Sequence, residues 1–155
     1  MTEYKLNIGE VVVSKQPAVY TCMGLGSCVG LFLQDRQTGV SGGAHIFLPN
    51  ANHTLTDGFH YSVASAMDEL LKQFQEHGSS LQNLRAKISG GASVLANVYD
   101  TGTGNVNRVK EALVAKRVYI AAADVGGKHC RTARFCSRSG EMTIVYRETQ
   151  ECKIY

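Results

Sequence analysis

The segment Met23-Gly24-Leu25-Gly26-Ser27-Cys28-Val29-Gly30 sets a cysteine directly after a turn of small residues and at the head of an apolar run. Glycines in such a turn let backbone N–H groups approach a ligand closely, which is what a developing oxyanion requires. Gly26 and Ser27 are therefore candidate contributors to an oxyanion or substrate site, and Cys28 is the candidate nucleophile. A free thiol titrates near ~8.5 and is mostly protonated at neutral pH, so it needs a nearby imidazole or dipole to react. His45, in Gly42-Gly43-Ala44-His45-Ile46-Phe47-Leu48-Pro49-Asn50, can supply that imidazole. Taken singly, each residue also has a structural reading. Cysteine behaves as a small hydrophobe and is often buried, and a histidine between Ala44 and Ile46 fits a hydrogen-bonded core position. Residue pattern alone leaves both readings open.

Other groupings point to less. Glycine clusters at 24–30, 42–43 and 90–91 do not continue into the GK[ST] that a P-loop needs to reach phosphates and Mg²⁺, so nucleotide binding is not expected. His129, Cys130 and Cys136 offer soft ligands at a spacing unlike the C-x2-C of a structural zinc site. No metal and no organic cofactor is expected. Lys87-Ile88-Ser89-Gly90-Gly91-Ala92-Ser93, Asn105, and Gly126-Gly127-Lys128 with Arg131 and Thr132 read as turn chemistry that could also line a pocket.

For Cys28 and His45 to meet, the strands that carry them must be neighbours. Residues 28–33 form an apolar run, and a second covers Val40 with residues 44–48. Asp35 to Gly39 between them supplies turn chemistry for a hairpin. With the turn centred near residue 37, Cys28 and His45 are expected as direct cross-strand partners, where Cβ atoms lie about 4.5–5.5 Å apart. Further strands are read at residues 11–13, 18–22, 118–123, 132–135, 142–146 and around 153–155. From Tyr61 to His77, the apolar residues Val63, Met67, Leu70, Leu71 and Phe74 share one helical face, with Gly78 as C-terminal cap. A second helix holds Val106, Val109 and Leu113, with Thr103 or Asn105 available to cap it. Runs of strands interrupted by only two helices define an α+β class with a mixed or antiparallel sheet, because a doubly wound fold needs a helix after nearly every strand.

With 155 residues, 44% hydrophobic and 19% charged, the chain is expected to fold as one domain over 1–155, around a core that needs no disulfide or metal. The N-terminus MTEYKLNIGE lacks the basic flank and apolar run of a secretion signal, and no run approaches ~20 apolar residues. A cytoplasmic protein with no direct membrane insertion is expected. Its five cysteines are then reduced thiols. The net charge of +3 is scattered along the chain, not gathered into a basic stripe, which argues against nucleic acid as partner.

These motifs together resemble the CheD family of bacterial chemoreceptor glutamine deamidases. The matching segments are GLGSCVG at 24–30, GGAHIFLPN at 42–50, KISGGAS at 87–93, Gly102 with Asn105-Val106, and Gly126-Gly127 followed by Arg131-Thr132, in family order. The resemblance implies β-sheets packed together and flanked by helices, as in bacterial toxin deamidases, with Cys28 as nucleophile and His45 as base. It implies glutamines of chemotaxis receptors as substrate and a CheC-type phosphatase as partner; receptor methylesterase activity is chemically close, since an acyl thioester is the shared intermediate. The runner-up reading is a regulatory module that acts mainly by binding CheC or receptor. The family also implies an orienting threonine six residues before the cysteine. Position 22 is Cys22 and the threonine stands at Thr21, which leaves that role open between the two.

Overall fold

A computed structural model describes residues 1–50, 58–93 and 100–155. Among these residues lie ten strands and two α-helices: β1 (Thr2–Lys5), β2 (Val11–Ser14), β3 (Ala18–Leu25), β4 (Val29–Asp35), β5 (Ser41–Ile46), α1 (Val63–Glu76), β6 (Leu84–Gly90), α2 (Thr101–Ala115), β7 (Tyr119–Val125), β8 (Arg131–Cys136), β9 (Met142–Tyr146) and β10 (Cys152–Ile154). They form two five-stranded sheets, ordered β2-β5-β4-β6-β7 and β1-β3-β8-β9-β10. Pairing is antiparallel except for β6 with β7 and β1 with β3. The expected α+β class with mixed sheets is the one observed.

The burial pattern gives the layer order. On β4, Val29, Leu31 and Leu33 share one cluster with Val63, Ala66, Met67, Leu70 and Phe74 of α1 and with Val109 and Leu113 of α2. From the opposite face of β4, Phe32 joins Tyr20, Leu25, Phe135 and Ile144 of the other sheet, with the Phe32 and Phe135 rings stacked at 5.6 Å. The sheet containing β4 is therefore a middle layer, covered by helices on one face and by the second sheet on the other. This explains why β4 and β5 read as continuous apolar or small-residue runs while β8 alternates buried and accessible positions. Each fully buried Leu or Phe side chain in these layers contributes about 1.5–3 kcal/mol of burial.

Two expectations are corrected. The β4–β5 hairpin forms, but its closing pair is Asp35 with Val40, whose backbone bond is 2.8 Å long. The Asp35 carboxylate accepts from the amides of Gln37 and Thr38, and Gly39 takes φ +80°, so the loop spans 36–39. The register follows: Gly30 faces His45 and Val29 faces Ile46, two residues away from the direct Cys28–His45 pairing expected. The second correction concerns α2, which begins earlier than its apolar spacing suggested. Its N-cap is Asp100, accepting from the amide of Thr103 at 3.0 Å, so Thr103 receives the cap and Asn105 lies inside the helix. For α1, Ser62 caps the start, and Gly78 follows the end with φ +88°, as expected of a terminating glycine. Among the described residues no helix is long and apolar enough to cross a membrane.

Candidate active site

Alternation along the two hairpin strands decides where Cys28 and His45 point. Ala44 and Ile46 belong to the helix-side core, so His45 between them projects into the space between the sheets. Val29 is also on the helix side, and Cys28 before it belongs to the inter-sheet cluster. Both candidate side chains therefore occupy the same face of the middle sheet. They are diagonal neighbours, at positions whose Cα atoms typically lie about 7–8 Å apart with Cβ somewhat closer. Between them stands Gly30, directly opposite His45. A Cβ there would come within 3.2 Å of Cys22 Sγ and 3.3 Å of Leu25 Cδ1, so its missing side chain is what lets Cys22 and Leu25 pack against this strand. The row continues across the sheet from His45 and Gly30 to Ser89 and Asp124.

The imidazole of His45 is held from behind by backbone. Its Nδ1 lies 2.8 Å from the Leu6 carbonyl oxygen, and a carbonyl can only accept, so Nδ1 carries the proton and Nε2 of the neutral ring is the basic nitrogen. Leu6 is itself fixed, its amide donating to the Thr21 carbonyl at 2.8 Å. Its chain segment, running from β1 in one sheet to β2 in the other, closes the end of the sandwich, with Gly9 N–H donating to His45 O and His45 N–H to Glu10 O.

The turn before Cys28 is anchored at three successive carbonyls. Gly26 O accepts from Ala92 N–H at 2.7 Å, Cys28 O from Gly91 N–H at 2.8 Å, and Ser27 O from Asn105 Nδ2 at 2.8 Å. Such anchoring is what makes a backbone turn a rigid set of donors.

Electrostatics define the resting state. Burial pushes the Cys28 thiol up to about 11, opposed by its own backbone N–H at the sulfur. Burial lowers the pKa of His45 below its ordinary value, opposed by the Leu6 carbonyl and the charge of Glu10. Both shifts favour the neutral forms, a thiol at Cys28 and an unprotonated imidazole at His45. An open cleft of about 570 Å³ adjoins the site and is walled by His45, Thr21, Met23, Gly24 and Phe59 among others. Cys28, diagonal to His45, is not itself part of that wall and is 8% exposed.

Thr21 and Cys22 sit on opposite faces of β3, as alternation requires. Cys22 is fully buried between the sheets, its Sγ 4.0 Å from the Ala44 carbonyl oxygen, and desolvation followed by the proximity of Cys28 raises its pKa. Thr21 lines the cleft, and its backbone carbonyl holds Leu6. The contact that orients His45 is thus a main-chain one, which residue types could not reveal.

The remaining motifs are scaffolding around this site. Gly90 and Gly91 take positive φ and contact the Cys28 turn and α2, where a Cβ on Gly90 would lie 2.2 Å from Cys28 O. Gly126 N–H donates to Gly90 O, and Ser93 N–H to Gly127 O. Arg131, which sequence left as turn chemistry, forms a buried ion pair with Asp124 at 2.6 Å and also donates to the Gly126 carbonyl. The hydroxyls of Tyr146 and Tyr155 complete the Asp124 carboxylate at 2.7 and 2.5 Å. Lys87 Nζ donates to the carbonyls of Gly140 and Tyr155, and Thr132 Oγ1 accepts weakly from the Gly24 amide.

The two sheets thus place a thiol and an imidazole as diagonal neighbours on one inner face. The model of the family described as CheD chemotactic sensory transduction matches residues 47–146. A probable chemoreceptor glutamine deamidase CheD of Clostridium botulinum is 34% identical over 150 residues, covering 92% of each chain. The chemoreceptor glutamine deamidase CheD of Thermotoga maritima is 31% identical over 140 residues, covering 90% of this chain and 88% of its own. The chain belongs to the CheD family. Among solved structures, the C-terminal domain of CNFy from Yersinia pseudotuberculosis matches with a TM-score of 0.46 at 12% identity, covering 99% of this chain and 59% of that one. The Bacillus licheniformis hypothetical protein YfiH matches with a TM-score of 0.49 at 12% identity, over 74% and 50% of the two chains.

Proposed function

We infer that this chain is a chemoreceptor glutamine deamidase that works through a Cys28 thioester, with His45 as general base and acid. The single observation that carries this reading is the shared inner face of Cys28 and His45, with the ring fixed by the Leu6 carbonyl so that Nε2 is its basic nitrogen. Nε2 takes the thiol proton, and the thiolate attacks the side-chain amide carbon of a receptor glutamine. The amide oxygen becomes an oxyanion held by backbone N–H groups of the turn at Gly26, Ser27 and Cys28. His45 returns the proton to the departing nitrogen, and ammonia leaves. Water, deprotonated by the same imidazole, hydrolyses the thioester and leaves glutamate with the thiol restored. A receptor methyl ester would pass through the same acyl thioester with methanol as leaving group. Receptors are the proposed substrate, and a CheC-type phosphatase is a proposed partner by family resemblance.

The test is ammonia release from a receptor cytoplasmic fragment, with the glutamine-to-glutamate change followed by mass. Cys28→Ala is expected to abolish both while receptor and partner binding persist. Turnover surviving in that variant would remove the thiol mechanism, whereas binding with no turnover in the parent itself would favour the reading as a binding module.

A further inference from the structure

Asn105 touches both strands of the candidate site from outside it. It lies in the first half of α2, fully buried. Its Nδ2 donates 2.8 Å to the carbonyl of Ser27, the residue before Cys28, and 3.0 Å to the carbonyl of Phe47, two residues after His45. A primary amide has two N–H bonds, and these two contacts use both. Its Oδ1 is buried with no hydrogen-bond partner among the described residues, an arrangement that ordinarily costs about 1–3 kcal/mol.

The helix reaches this position because its backbone lies against the Gly91–Ala92 loop. A Cβ on Gly102 would lie 2.4 Å from Ala92 O, and one on Gly91 would lie 2.1 Å from Val106 Cγ2. Of the three turn carbonyls, those of Gly26 and Cys28 are held by backbone amides of that loop. Among the described residues, the middle one is held by the Asn105 side chain alone. Since a peptide unit is planar and trans, its N–H points opposite to its C=O. Fixing the Ser27 carbonyl therefore fixes the direction of the Cys28 N–H, whereas releasing it lets that one peptide unit rotate between its anchored neighbours.

We propose that Asn105 is a positioning residue for deamidation: its two N–H bonds lock the Ser27–Cys28 peptide so that the Cys28 N–H faces the developing oxyanion, and tie that turn to the strand bearing His45. The proposal deepens, and rests on, the assignment of Cys28 and His45 as the catalytic pair. It places the effect of Asn105 on the tetrahedral step, with the substrate cleft and the thiol left as they are.

Asn105→Asp keeps the shape and removes the donors, Asn105→Ala removes the side chain, and Val109→Ala perturbs the same helix from a buried apolar position one turn further on, with no hydrogen bond to lose. Turnover of a receptor fragment, KM, thermal stability and the rate of Cys28 alkylation by iodoacetamide, followed by mass on Cys28 itself, are measured for all three. In Asn105→Asp, kcat is expected to fall about tenfold to a hundredfold, with KM and the alkylation rate within about twofold of the parent; loss of an oxyanion donor outright costs about 10²–10³. Asn105→Ala carries the same test if the aspartate variant does not fold. The proposal is overturned if the folded variants keep parental kcat, or lose no more than Val109→Ala does at a similar loss of stability. Full turnover in Cys28→Ala would instead remove the catalytic pair on which the proposal rests.

Discussion

His45 Nδ1 and the Leu6 carbonyl oxygen, 2.8 Å apart, join the proposed general base to a chain segment that bridges the two sheets. The orienting partner of the imidazole is main chain, so its role does not depend on the side chain at position 6, 21 or 22.

It follows that neither Thr21 nor Cys22 should be catalytically decisive through its side chain. Thr21→Ala is expected to keep kcat within about threefold, because its carbonyl still holds Leu6. Cys22→Ala should lower stability by about 1–2 kcal/mol, at the low end of the range for deleting buried groups, and keep turnover. A kcat loss of a hundredfold in Thr21→Ala, measured on a receptor fragment, would assign the orienting role to its hydroxyl.

Removing the proposed base should be far more damaging. His45→Ala is expected to lower kcat by about 10²–10⁴, the usual worth of a positioned acid or base, with substrate binding retained. Iodoacetamide should also modify Cys28 more slowly in this variant at neutral pH, since the thiol has lost its proton acceptor.

The pH dependence follows from the two burial effects. Burial lowers the His45 pKa from 6.5, so the ring stays a free base on the acid side, and kcat/KM should hold its neutral value to pH 6.5 and decline only below. In this acid range the unfolded chain takes up the proton first, so stability also falls with falling pH. Cys28, raised from 9.0 to about 11, works in the opposite sense. Above pH 9 the unfolded chain loses its thiol proton first, and stability declines as pH climbs toward 11. A kcat/KM profile with an acid limb centred at or above 6.5 would contradict the buried, neutral imidazole.

Gly30 should resist substitution although its backbone carries no special dihedral. In Gly30→Ala the new methyl would meet Cys22 Sγ at 3.2 Å and Leu25 Cδ1 at 3.3 Å, in a layer packed from both sides. A loss of about 1–3 kcal/mol is expected from overpacking. Turnover should fall as well, because the displaced Cys22 and Leu25 pack in the same inter-sheet cluster as Cys28. Thermal unfolding and receptor deamidation read the two effects separately.

Arg131→Met should be among the most destabilising single changes, by about 3–5 kcal/mol, since it leaves the Asp124 carboxylate buried without its cation. Asp124 is held below its ordinary pKa because the hydroxyls of Tyr155 and Tyr146 and the Arg131 guanidinium together outweigh desolvation. Its contribution is thus present above about pH 4 and lost as pH falls further. Chemical denaturation at pH 7 and pH 3.5 should find the parent and Arg131→Met closer together at the lower pH.

Much of this was legible in the amino-acid sequence. The thiol after a small-residue turn, the histidine on the returning strand, the hairpin between them and the two helices all come from local chemistry: side-chain type, turn residues and periodicity. The expected register was two residues off, yet the conclusion that Cys28 and His45 share a face survived, because side chains alternate with a period of two and a slip of two preserves the face. Hydrogen bonds between distant segments could not be read in the same way. The Leu6 carbonyl behind His45, the Asn105 amide behind Ser27 and the Arg131–Asp124 pair join residues 39, 78 and 7 positions apart. Two of these use main-chain carbonyls, which every residue possesses and no sequence pattern distinguishes. Residue types could therefore nominate the nucleophile and the base, whereas only the packing of the chain-end segment and α2 against the hairpin decided what holds them in place.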